Sequence, residues 1–87
     1  KKDVKLRCDY SVIGKVIDRF GNDIVINPVS EDEFEITETV AVGSTFFSWL
    51  FNYAGKITIV APEEVKADFM ELINKFTTKE ESDRSKS

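Results

Sequence analysis

The chain of 87 residues is 41% apolar and 32% charged, enough apolar surface to close one small core and too little length to close two. Its net charge of −4 gives it no general attraction for phosphate backbones, so binding of nucleic acid by this domain alone is not expected. One cysteine and no histidine leave no intrachain disulfide, no Ser-His-Asp or Cys-His pairing, and no histidine or multi-cysteine zinc cage.

No Walker A loop, G-x-G-x-x-G or H-E-x-x-H string occurs either, so no catalytic group, cofactor or metal is expected. Neither a secretory apolar region nor an apolar run near ~20 residues is present. That predicts a soluble, cytoplasmic domain with no membrane partner. The chain starts on Lys1 and reads as strand within a few residues, as expected of a piece excised from a longer protein.

Val4 to Tyr10 alternates, with Leu6, Cys8 and Tyr10 on one face and Lys5, Arg7 and Asp9 on the other, the pattern of a half-buried strand. From Ser11 to Phe20 the period changes, and Val12, Ile13, Val16, Ile17 and Phe20 recur at helical spacing. Asp9 or Ser11 is positioned to cap this helix, and Gly21-Asn22 to stop it. Gly14 weakens it, and close packing is one reason to keep a glycine there.

Asp23 to Val29 reads as a second strand, with Pro28 marking an edge or an end. After the polar turn Ser30 to Glu33, a third strand is expected from Phe34 to Val42. Phe34, Ile36, Val40 and Val42 face inward there, and Glu38 interrupts the row as a bulge or a carboxylate at the sheet margin. Gly43-Ser44 opens an aromatic helix that Gly55 closes, and Lys56 to Ala61 is a fourth strand with Ile57 and Ile59 inward. Pro62 is suited to the first position of a final helix, whose apolar face is Val65, Phe69, Leu72 and Phe76, broadened by Met70 and Ile73. The segment 77–87 contains no apolar residue and is expected to be a disordered polar tail.

The order β-α-β-β-α-β followed by a helix predicts an α+β, ferredoxin-like domain over residues 1–76, with a four-stranded antiparallel sheet and a C-terminal helix. Its outward rows, Lys5, Arg7 and Asp9 on one strand and Glu35, Thr37 and Thr39 on another, contain no aromatic, so an RNA-recognition surface on the sheet is excluded. Lys5 and Arg7 read as a solvated pair. An acylphosphatase-like enzyme would need an arginine in a phosphate-cradling loop after the first strand, and no such loop is visible. A small-molecule sensor of the ACT type, binding an effector at a subunit interface, has the same element order. Such domains favour a glycine where this chain has Asp9-Tyr10-Ser11.

The aromatic helix is the densest apolar stretch. Phe47, Leu50, Phe51 and Ala54 form one stripe at helical spacing and are assigned to the core. Phe46, Trp49 and Tyr53 form a second stripe that the final helix, through Met70 and Ile73, or a partner surface must cover. These five residues are the candidate interface. Arg19, at the end of the first helix, complements the helix dipole and is the one candidate ligand-binding cation.

Two strings, Asp18-Arg19-Phe20-Gly21 and F-F-S-W-L-F-N-Y-A-G-K-I-T-I-V-A-P-E-E-V from Phe46 to Val65, resemble the C-terminal extension (WCX) of WYL-domain transcriptional regulators. The family pattern is approximately F-F-x-W-L-x-x-x-G, a short V/I-rich strand, then P-x-x-V, and the resemblance extends over residues 4 to 76. It implies a non-catalytic regulatory and dimerisation module of a bacterial regulator. Its partners would be an upstream WYL domain, an upstream winged helix-turn-helix and a second copy in a homodimer, with DNA bound only through the winged helix.

Overall fold

Alternation places Val4, Leu6 and Cys8 on one side of β1 (Lys2–Asp9), and all three are fully buried. They form the centre of the core. The computed structural model of the chain describes residues 1–75; its last helix, α3, is assigned over Glu63–Lys86. The tail expected over 77–87 and the inward place expected for Phe76 lie outside the described residues.

β1 is flanked on both sides. It pairs antiparallel with β3 (Glu33–Val40) along its whole length, from Lys2 opposite Val40 to Asp9 opposite Glu33. It also pairs antiparallel with β4 (Ile57–Ala61), and a two-residue β2 (Asn27–Pro28) completes the order β2-β3-β1-β4. The described residues are therefore α+β, with a four-stranded antiparallel sheet and three α-helices.

The pairing removes one of the two readings of Glu38 and corrects the extent of the second strand. β3 carries no bulge: its register with β1 is unbroken, and Glu38 stands half-buried in the inward row opposite Val4. The irregularity lies in β4, where Leu6 faces Ile59 but Lys5 faces Ala61, leaving Val60 as the extra residue. The second strand, expected from Asp23 to Val29, shrinks to Asn27–Pro28. Proline is tolerated there for a geometric reason. The Val29 N–H donates to the Glu33 carbonyl, so odd-numbered residues of β3 point their backbone groups toward β2. Pro28, opposite Phe34, is then in a pair that needs no N–H.

The helices close one face of the sheet. A short 3-10 turn at Tyr10–Val12 is capped by Asp9, whose Oδ1 accepts from the Ser11 N–H at 2.8 Å, and it runs into α1 (Ile13–Phe20). Gly21, at φ 101°, ends α1 by donating to the Ile17 carbonyl at 2.7 Å, a left-handed stop that suits glycine. α2 (Ser44–Asn52) starts from the Gly43 carbonyl, which accepts from the Phe47 N–H. It unwinds through a turn over residues 53–56 that contains Gly55, φ 86°. Pro62 is not the first residue of α3 but the position before it, with its carbonyl accepting from Val65 and Lys66 at 3.1 Å each.

Phe34, Phe46, Leu6, Ile36 and Leu50 are the largest fully buried side chains, and each contributes about 1.5–3 kcal/mol by leaving water. Val16 of α1 and Val65 of α3 join them in a single cluster.

Gly14 has no packing role, because a Cβ there would meet nothing within 4 Å. Gly14→Ala should therefore stabilise the domain by roughly 0.5–1 kcal/mol and raise Tm by roughly 2–8 °C in a thermal melt. A lower Tm would mean that the position is crowded. Burial also pushes the Cys8 thiol up to about 12. A disulfide reagent should label Cys8 only on unfolding, at a rate that rises with denaturant, whereas rapid labelling in native buffer would show that the β1 core row is open.

Candidate interaction surface

The uncovered face of the sheet is polar and internally neutralised. Arg7 and Glu35 are direct cross-strand partners, and both Nε and Nη2 of Arg7 donate to Glu35 Oε2, at 3.0 and 2.8 Å. Lys5 approaches the other oxygen of Glu35 at 3.3 Å, and the Thr39 hydroxyl donates to Asp3. The Arg7 guanidinium, seconded by Lys5, holds the Glu35 carboxyl below the usual glutamate range. The two cations read from sequence as a basic pair are thus bound to an acid, which leaves little positive field for an anion.

The α2 side carries the candidate residues, and its two stripes divide differently from the expectation. Phe46, placed in the interface stripe, is 1% exposed and belongs to the core with Leu50. It therefore offers a partner no surface. Phe51, assigned to the core, is 47% exposed, and Ala54 is exposed as well. The helix has rotated relative to the expected arc, so that Phe46 and Leu50, one turn apart, point at the sheet and Phe47 and Trp49 flank them.

Each flank is covered by a different helix. Phe20, at the end of α1, meets Trp49 edge-on at 5.5 Å between ring centroids, and Tyr53 also packs on Trp49, tilted, at 5.4 Å. The Arg19 guanidinium lies over the Trp49 ring, 5.6 Å from its centroid. That contact gives Arg19 a structural role and ties the end of α1 to α2. On the opposite flank, Phe69 of α3 packs on Phe47 at 5.3 Å. α3 therefore covers Phe47, and α1 covers Trp49.

The candidate surface follows from the seat of α3. Its Val65 and Phe69 are buried and Ile73 is half-buried, while Met70 and Leu72 are 48% and 47% exposed. Leu72, expected inward, instead borders an open cleft of about 370 Å³ with Phe47, Ser48, Phe51 and Asn52. Met70 and Ile73, with Phe69 of the same helix, border a second cleft of about 170 Å³ formed with the turn after α2 and with β4, where Gly55, Ile57 and Ile59 contribute. The five expected interface residues are thus dispersed: Phe46 in the core, Trp49 against α1, Tyr53 against Trp49, Met70 and Ile73 on α3. The Leu72 cleft was missed because its residues belong to two helices whose relative seat no periodicity reveals.

Among the described residues, no group of three or more Asp, Glu, Cys or His side chains could hold a metal ion, and no helix is long and apolar enough to cross a membrane. Compared with protein families, with curated proteins and with solved structures, the chain finds no match in any of the three.

Glu35 has its pKa depressed by folding, so its contribution to stability is present above the ordinary glutamate value near ~4.3 and is lost as pH falls through the lower folded value. Glu35→Gln should lower Tm at neutral pH and flatten the fall in Tm on acidification. An unchanged acid limb would show that the Lys5–Glu35–Arg7 cluster contributes nothing measurable.

Proposed function

We propose that this domain is a non-catalytic regulatory and oligomerisation module of ferredoxin-like class, of the kind that ends bacterial WYL-type transcriptional regulators. In that setting it couples effector state to DNA binding by an upstream winged helix-turn-helix. The sheet order β2-β3-β1-β4 with antiparallel neighbours is compatible with the ferredoxin-like class. The string Phe46 to Val65, which carries the resemblance, spans α2, its closing turn, β4 and the start of α3. Within this string α2 lines the larger cleft, and the closing turn and β4 line the smaller, each completed by α3 residues beyond Val65.

The observation that carries the reading is the pair Met70 and Leu72. Two half-exposed apolar side chains stand on α3 at the mouths of two clefts, astride the Phe47–Phe69 contact. An apolar surface interrupted by concavities suits association through packing, because anchors from one surface can fill pockets in the other. The proposed mechanism is therefore geometric. The interface fixes how the modules sit against each other, and that sets the separation of distant DNA-binding heads.

The test is the double substitution Met70→Ser with Leu72→Ser in the full-length protein. Self-association measured by sedimentation should weaken by about tenfold or more, an anchor-sized loss. The isolated domain should melt within a few degrees of the parent. Unchanged association would refute the interface. A helix-turn-helix pattern and a WYL segment in the upstream sequence are the expected companions, and their absence would remove the regulatory assignment.

A further inference from the structure

Between α1 and β2 lies a segment with the side-chain pattern of a strand and none of its hydrogen bonds. Ile24 and Ile26 pack against the core while Val25 between them is 73% exposed, the alternation of an edge strand. All three are β-branched, the residue type that favours strands. No backbone–backbone hydrogen bond joins residues 22–26 to the rest of the described chain.

The flank of β3 beside them is open. β2 covers β3 only at Glu35 and Phe34, whereas β3 continues to Val40. Odd-numbered β3 residues point their backbone groups away from β1, as the Val29 to Glu33 bond shows. The N–H and C=O groups of Thr37 and Thr39 therefore project into this flank. Continuing the register that sets Asn27 opposite Glu35 puts Ile26 opposite Ile36, Val25 opposite Thr37 and Ile24 opposite Glu38. Each half-buried isoleucine then falls in the inward row and exposed Val25 in the outward row.

We propose that Asp23 to Ile26 is a strap that closes onto β3, with Val25 and Thr37 exchanging both of their backbone hydrogen bonds. Closing requires no side chain to change face, because Ile24 and Ile26 already point inward. The anchor at one end is the Asn27–Pro28 pairing, and at the other the Gly21 stop of α1. The closed strap occupies the backbone groups of Thr37 and lengthens the edge. The open strap leaves them unpaired at the sheet edge.

Residue-resolved hydrogen exchange and proton–proton contacts on the full chain test this. The closed strap slows exchange of the Thr37 and Val25 amides by about tenfold or more relative to the unpaired chain, as one net backbone hydrogen bond requires. It also brings the α-protons of Ile26 and Ile36 into contact, since that pair is of the close, non-hydrogen-bonded kind. Val25→Pro replaces the N–H that Val25 donates to the Thr37 carbonyl with a proline ring facing that oxygen, so the strap cannot close and the Thr37 amide should lose its protection. The Ile36 amide, paired with β1, should keep its protection and so report that the variant is folded. Unprotected Thr37 and Val25 amides in the parent, or no contact between Ile26 and Ile36, would overturn the proposal without reference to any variant. Thr37 protection that survives Val25→Pro in a folded chain would overturn it too.

Discussion

The seat of α2 on the inner row of the sheet is the constraint on which the other helices depend. β1 supplies three fully buried side chains in a row, Val4, Leu6 and Cys8, and one helix laid across them can point only part of its circumference at the sheet. Phe46 and Leu50 take that direction. The apolar arc of α2 is wider than this, however, and Phe47 on one side and Trp49 on the other need cover of their own. α1 brings Phe20 and Arg19 to Trp49, and α3 brings Phe69 to Phe47. One over-apolar helix thus fixes the places of its two neighbours.

Much of the fold could be read from local pattern because the signals there are short-ranged. The clean alternation in Val4 to Tyr10 reflects a strand with one face buried and one wet. The Asp9 cap and Gly21 stop are chemical requirements of a helix end and do not depend on tertiary context. What escaped was set by packing between elements. α2 is apolar nearly all round, so sequence could separate its stripes but not say which one faces the sheet. Phe46 and Phe51 consequently exchanged places, one to the core and the other to the surface.

Glu38 and the Asp23 to Val29 segment mislead for the opposite reason: there the local pattern is real but incompletely expressed. Glu38 holds its place in the inward row near the end of the β1·β3 ladder without breaking register. Of its two readings, a bulge or a carboxylate at the sheet margin, the bulge belongs instead to Val60, where nothing in the apolar alternation announces an extra residue. Residues 24–26 keep the alternation of a strand and lack the ladder, since alternation is a property of side-chain burial and pairing is a property of the backbone. The two usually coincide because pairing fixes the pleat. Here the inward isoleucines are held by the core alone.

That distinction bears on where the domain can meet other chains. The wet face of the sheet has its charges paired among themselves, with Glu35 shared by Lys5 and Arg7, and it gives a partner few unmet demands. The α2–α3 side is different, because the covering of Phe47 by Phe69 uses up the inward face of α3 and leaves Met70 and Leu72 turned aside at the two clefts. The position of α3 is thus a consequence of the seat of α2, and the exposed apolar pair is a consequence of the position of α3. An interface here would therefore be sensitive to the core, since any change that rotates α2 moves Phe47, and with it both cleft mouths.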